Sequence, residues 1–350
     1  MRTADFDFNL PAELIAAEPA PRRTDARLLA VDRASGAWEH RSVADLPSLS
    51  QPGDLWLLNN SRVIPARLLD HDSGVEALLL EETSPSHWRC LTNPARKTKQ
   101  DARLAFAPRD PGLPPLQATV LKTLPSGERI LRFHGCFSLD DYGLMPVPPY
   151  ILKRRKAGVG PRDPETLDRE RYQTVFAASD GSVAAPTAGL HFTPELLARL
   201  PHAFITLHVG IGTFRPIKTE KLEDHVMHGE RFWIPESTAA AAAAATRRIA
   251  VGTTVARVLE TAKTLRESGG QTHIFIRPPH RFRHTDALMT NFHLPRSTLL
   301  VLVAAFLGDR GPGREPLPPR QAIDLLRAIY ADAVREKYRF YSYGDTMLIV

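Results

Sequence analysis

Between Arg67 and Phe137 the apolar positions come in short runs, VEALLLEE, HWRCLT, RLAFA, LQATVLKTL and RILRFH. Pro85-Ser86, Pro111-Gly112 and Ser126-Gly127 fall between them as turn signals. Runs repeating at about ten residues, with no helical stretch between, predict a small antiparallel β-barrel. Outside this block the period changes. RLLAVD from Arg27, LWLLNN from Leu55, RRIAVG from Arg247, Thr272 to Ile276 and TDALMTN from Thr285 read as strands. Helical patterns follow several of them. Val255 to Arg266 has Arg257, Glu260 and Lys263 on its polar face, and Ser297 caps an apolar helix. Gln321 to Lys337 places Ala322, Leu325, Leu326, Ile329 and Ala333 on one side. Strands alternating with helices predict a parallel sheet covered on both faces. The expected fold is therefore α/β. A three-layer-like α/β domain, residues 1–66 and 146–350, is interrupted by an inserted antiparallel β-barrel domain, residues 67–145.

Punctuation refines this picture. Gly143 to Ile151 (GLMPVPPYI) predicts an extended connector, and the basic run Lys153 to Lys156, followed by Gly and Pro, predicts a mobile loop. Thr238 to Thr246 holds seven successive alanines and predicts a short helix without side-chain chemistry. From Val183 to Pro216, His191 and His208 close short apolar runs, flanked by Gly189, Gly210 and Gly212. Glycine lets backbone approach a ligand closely, so these look like two strand-to-loop exits facing a site.

Composition narrows the class. Of 350 residues, 43% are hydrophobic and 24% charged, which suits a globular chain with an ample core. The net charge of +6 is compatible with a polyanionic partner but modest. Two cysteines, Cys90 and Cys136, form no CxxC, so a cysteine metal centre is disfavoured and a reducing cytoplasm is expected. The start, MRTADFDFNLPAELIA, does not read as a signal peptide. The longest apolar run, Thr298 to Leu307, is far short of the roughly twenty residues a membrane helix needs. No pairing segment is evident, and a monomer without membrane attachment is expected.

Familiar signatures are missing: there is no GxxxxGK[ST], no GxGxxG and no GxSxG. Histidines stand in their place. Nine of the thirteen lie after residue 190. His225 and His228 are three apart beside Asp224, and with His208 they leave two readings open. One is a metal site of a hydrolase. The other is a metal-free cluster able to move protons near neutrality. A non-catalytic RNA-binding protein is a third reading. His191 and His293 share a form, Leu190-His191-Phe192 and Phe292-His293-Leu294, that suits either a core or a pocket wall. Asn60 and Arg62 in NNSRVIPARL could face a ligand. Lys97, Lys99 and the 153–156 run could meet phosphates.

VAAPTAGLHF, TLHVGIGTFRP, EDHVMHGE, TDALMTNFHLPRSTLL and EKYRFYSYGD, with NNSRVIPARL and MPVPPYI upstream, are long and specific. Together they resemble the S-adenosylmethionine:tRNA ribosyltransferase-isomerase family of queuosine biosynthesis, from Asp5-Phe6 to the C-terminus. The resemblance implies an α/β domain interrupted by a small barrel, and no metal. It implies S-adenosylmethionine as ribosyl donor and a tRNA carrying 7-aminomethyl-7-deazaguanine at the wobble position as acceptor. The ribose carbons become an epoxycyclopentane, with adenine and methionine released. A proton must leave the ribose 5′ carbon, so an imidazole base is wanted. His208, His225 or His228 is expected to supply it, with Asp224 orienting one of them. Thr187, His191, Gly210, Gly212, Asn291 and His293 are expected around the ribose and adenine, and Asn60 and Arg62 on the methionine carboxylate or an RNA phosphate. Lys97, Lys99, Arg154, Arg155, Tyr338 and Tyr343 are expected on the RNA. The chain departs from the family pattern at Val255, Asp101, the Arg277 to His280 loop and the alanine helix.

Overall fold

The computed structural model describes residues 1–350 apart from 211, 213–215, 263 and 266–268. The chain begins with β1 (Arg27–Asp32), β2 (Ala37–Ser42), β3 (Asp54–Asn59) and the short β4 (Ser61–Val63). Six strands of the barrel block follow: β5 (Arg67–Asp70), β6 (Val75–Ser84), β7 (His87–Asn93), β8 (Arg103–Phe106), β9 (Leu116–Thr123) and β10 (Arg129–Phe133). Then come β11 (Ser179–Ser182), β12 (His202–Leu207), β13 (Glu230–Trp233), β14 (Arg247–Val251), β15 (Gly269–Thr272), β16 (Ala287–Asn291) and β17 (Thr346–Ile349).

Nine strands form one mixed sheet in the order β15-β13-β12-β3-β14-β16-β17-β1-β2. Its centre is parallel: β12, β3, β14 and β16 run together. The physical reason is in β3, whose six residues are all buried. Strand residues alternate between faces, so a strand apolar on both needs cover on both. Leu55 and Leu57 pack into one layer with the helices Thr253–Thr261, Thr298–Asp309 and Pro319–Arg335. Trp56 and Leu58 face the other way, onto Phe192, Leu196, Leu197 and Leu200. The helix Thr298–Asp309 is buried from Leu300 to its end, because its sequence is apolar all round. The amphipathic helix Pro319–Arg335 covers it. Ser297 caps it as expected, accepting from Leu300 N at 3.2 Å.

The second sheet is antiparallel, in the order β5-β6-β7-β10-β9-β8. Ala107 N donates to Leu69 O at 2.9 Å, and Ala105 N to the Asp70 carboxylate at 3.0 Å, so the two edge strands meet and the sheet curls towards closure. Alternate residues, among them Leu68, Ala77, Leu79, Cys90, Val120 and Leu131, fill its interior. The fold is thus the α/β class with an inserted barrel-like sheet that the pattern predicts.

Some local expectations fail. The basic run is not a loop. It is the end of a helix, Pro149–Lys156, that starts where proline needs no donor and buries Ile151; its cations sit at the negative end of the helix dipole. The stretch around His191 is a 3₁₀ turn, Thr187–His191, rather than a strand exit. The strand expected at Thr272 to Ile276 lies earlier, as β15, on the edge beside β13. The helix after β14 ends at Thr261; the expected continuation through Lys263 to Arg266 reaches residues outside those described.

Candidate functional site

The carboxyl ends of β12, β3, β14 and β16 share one edge of the sheet, where an open α/β sheet collects ligands. Asn59 fastens that edge. Its Nδ2 donates to Leu207 O at 2.8 Å, and its Oδ1 accepts from Leu207 N at 3.0 Å and Ser61 N at 3.1 Å. This buried carboxamide ties the end of β12 to the end of β3. The next residues, His208 and Ser61, are thereby brought together, with His208 Nδ1 to Ser61 Oγ at 2.8 Å. Gly181 (φ +132°) lies flat against the ring, where a Cβ would stand 3.1 Å from Cε1 and Nδ1. His208 is half-buried. Burial and then Arg231 hold its pKa below the ordinary imidazole value, with Asp180 opposing them weakly. The imidazole is therefore neutral at pH 7. In the tautomer that donates Nδ1–H to Ser61, Nε2 carries the basic lone pair.

His208 opens onto a cleft of about 600 Å³, within the ordinary range of ligand sites at roughly 300–1,000 Å³. One wall belongs to the barrel-like sheet: Glu81, Arg89 and Glu128. Arg89 bridges the two carboxylates at 2.9 and 3.2 Å, and Arg231 on β13 pairs with Glu81, so ion pairs join the two sheets across the cleft. The other wall holds Gly210, Gly212, Glu230 and Arg257. Glu230 is buried, accepts from Gly210 N at 3.0 Å and pairs with Arg257. His225, Met227 and His228 close one side. His225 stacks edge-on against Phe275, and its pKa is lowered by burial and then by the neighbouring His228. Gly212 gives His228 room: a Cβ there would lie 3.0 Å from Cδ2. Ile211 and Thr213 to Arg215 of this motif lie outside the described residues.

The remaining predicted ligand residues lie elsewhere. Thr187, Asn291 and His293 line a niche of only about 50 Å³ that shares Val209 and Leu299 with the cleft. It is too small for a nucleoside. His191 Nε2 meets Asn291 Oδ1 at 3.0 Å, and His293 Nε2 meets Thr290 Oγ1 at 2.8 Å. Both rings are buried, which pushes their pKa values down to about 4 and about 3. They are satisfied core histidines. Asn60 accepts from Thr206 Oγ1 at 2.7 Å and serves the sheet edge rather than a ligand. Arg62 lies exposed outside the cleft, bound to Ala177 O at 2.8 Å and to Asp180 at 3.2 Å. Asp224 is exposed, and among the described residues no hydrogen bond or ion pair joins its carboxylate to His225 or His228.

Among the RNA candidates, Tyr338 and Tyr343 are corrected outright, at 0% and 3% exposure. Neither ring can stack on a base: Tyr338 OH meets His40, and Tyr343 OH donates to Asp168 at 2.7 Å. Arg155 is spent on Asp168, at 2.6 and 2.8 Å, and Arg154 is half-buried. Lys97, Lys99, Lys153 and Lys156 are exposed. Among the described residues no cluster of three His, Cys, Asp or Glu is placed to hold a metal ion, so His208, His225 and His228 do not form a ligand set. Sequence reasoning missed Glu230 and Arg257 as cleft residues, and Ser61 as the buried partner of His208. Ser61 stood beside the highlighted Asn60, and Arg257 was noted only as part of a polar helix face; nothing in the pattern pairs it with a glutamate 27 residues away.

The chain matches the model of the family described as "Queuosine biosynthesis protein" over residues 3–349. It is 43% identical over 381 aligned positions to the S-adenosylmethionine:tRNA ribosyltransferase-isomerase of Solibacter usitatus, covering 100% of both chains. Identity to the enzyme of that name from Thermus thermophilus is 47%, over 99% of this chain and 98% of the other. The crystal structure of S-adenosylmethionine tRNA ribosyltransferase from Thermotoga maritima is similar at a TM-score of 0.52 and 34% identity, covering 99% of this chain and 100% of that one.

Proposed function

The chain belongs to the queuosine biosynthesis protein family, and from that premise we propose that the cleft beside His208 carries out the family's reaction. The protein transfers the ribosyl moiety of S-adenosylmethionine to 7-aminomethyl-7-deazaguanine at the wobble position of a tRNA and isomerises it. The product is epoxyqueuosine-tRNA, and adenine and methionine leave. S-adenosylmethionine is a co-substrate.

The single observation that supports His208 is its setting: a neutral, half-buried imidazole held by Ser61 on a cleft large enough for both reactants. The sulfonium makes the ribose 5′ carbon acidic. His208 Nε2 takes a proton from that carbon. The pair left on that carbon forms C4′=C5′ as C4′–O4′ breaks, and the ring oxygen's pair forms the C1′ carbonyl as the C1′–N9 pair departs with adenine. The aminomethyl nitrogen adds to C4′ of the vinyl sulfonium and loses its proton, the resulting C5′ ylide adds to the C1′ carbonyl, and the alkoxide so formed displaces methionine from C5′ to close the epoxide. Burial helps, since water would otherwise trap the vinyl sulfonium. His225 and His228 line the same cleft.

Residues 1–66 and 146–350 serve as the catalytic domain and 67–145 as an inserted barrel domain whose Glu81–Arg89–Glu128 wall confines the cleft. The protein works as a monomer in the cytoplasm, where its tRNA substrate is found. The test is to mix the protein with S-adenosylmethionine and tRNA bearing the aminomethyl-deazaguanine. Adenine and methionine should be released in equal amounts, one of each per modified tRNA. Release that does not depend on this tRNA would overturn the reading.

A further inference from the structure

Arg257 sits one helical turn into Thr253–Thr261, on the wall of the cleft, and is only 4% exposed. Its Nη1 is taken by Glu230. Its Nε and Nη2 are buried and have no hydrogen-bond partner among the described residues. A guanidinium kept dry with two donors unmet is costly, and native interiors avoid it unless something else supplies the acceptors. The unmet pair is not arbitrary. Nε–H and the adjacent Nη2–H point the same way and form the side edge of the guanidinium, the two-pronged face whose spacing matches the two oxygens of a carboxylate. Glu230 is itself anchored by Gly210 N, so the fork is held in one orientation.

We propose that this edge of Arg257 grips the carboxylate of the methionyl group of S-adenosylmethionine, with Glu230 positioning the fork. The assignment rests on the reading of the cleft given above. Two anions enter that cleft in the reaction, the donor's carboxylate and the RNA backbone. A wobble nucleotide entering a protein pocket presents its base first and leaves its phosphate at the mouth, whereas the fork lies in the wall. The carboxylate is the donor's one negative group, and a guanidinium edge is the group in this wall that matches it. Arg62, the arginine that the sequence offered for this role, lies outside the cleft and is already paired.

The experiment compares S-adenosylmethionine with its decarboxylated analogue as donors to the same precursor tRNA, in wild type, Arg257→Lys and Arg257→Gln. A two-pronged charged contact predicts that wild type favours the full donor by roughly 100-fold in kcat/KM. The preference should shrink to about tenfold in Arg257→Lys, which keeps the charge but not the fork. It should vanish in Arg257→Gln. Equal use of both donors by wild type overturns the proposal, as does an undiminished preference in Arg257→Gln. Where Arg257→Gln does not fold, because Glu230 loses its countercharge, the wild-type comparison and Arg257→Lys still decide. A raised KM for tRNA with the donor preference intact assigns the fork to an RNA phosphate and also overturns it. Absence of adenine release by wild type with either donor removes the reaction itself, a failure distinct from loss of donor preference.

Discussion

At the scale of single residues, five histidines of similar appearance in the sequence divide by what surrounds each ring. His208 keeps access to a cleft and a single hydroxyl partner, while His191 and His293 lie wholly inside. Their depressed pKa values make a prediction about stability. A histidine whose folded pKa lies below the unfolded value of about 6.5 contributes nothing above that pH. As pH falls below 6.5 the unfolded chain takes up a proton that the fold refuses, and stability drops until the folded pKa is reached. His293, at about 3, should cost about 3 kcal/mol by pH 4. Denaturant unfolding of His293→Gln and wild type at pH 7 and pH 4 measures it: the variant should lose about 3 kcal/mol less over that interval. Equal losses would show that His293 is not the source. The sequence could show which residues are histidines near glycine. It could not show which are dry, because that depends on chain segments a hundred residues apart, as in the pairing of His191 with Asn291.

At the scale of elements, the two crossings between the sheets run side by side. Arg67 and Leu144 exchange backbone hydrogen bonds at 3.1 and 2.8 Å, and Gly143 abuts Pro65, where a Cβ would stand 1.7 Å from the carbonyl oxygen. Backbone on both sides cannot yield cheaply. Gly143→Ala is expected to destabilise the protein by about 3 kcal/mol. Gly270→Ala, whose new methyl would meet only Phe232 at 3.5 Å, should cost much less. Chemical denaturation of the two variants tests this, and similar losses would contradict it. Strands β1, β3, β14 and β16 and the runs behind β6 to β10 were legible because short apolar runs bounded by turn signals leave few alternatives, whereas β2, at one edge of the large sheet, and β13, next to the other, carry no such run. The helix Pro149–Lys156 was not legible. Its prolines and lysines read as loop, and only the burial of Ile151 and the Arg155–Asp168 pair make it a helix.

At the scale of the whole molecule, the barrel-like sheet leans over the carboxyl edge of the large sheet and is pinned there by the Arg231–Glu81–Arg89–Glu128 chain of ion pairs. On the barrel's other flank, Lys153 and Lys156 line a groove of about 550 Å³ against β6 and β7. A Lys153→Ala/Lys156→Ala variant should bind tRNA more weakly, and its plot of log Kd against log salt should be shallower by roughly 1.5. Binding of S-adenosylmethionine should not change. An unaltered salt slope would take the RNA off this face. The most direct test of the account concerns the proton itself. With S-adenosylmethionine carrying deuterium at the ribose 5′ carbon and precursor tRNA present, wild type should pass label to water as the reaction runs. His208→Ala should do so at least about 100-fold more slowly, with donor binding intact. Loss of label from His208→Ala at the wild-type rate would contradict the assignment of His208 as the base.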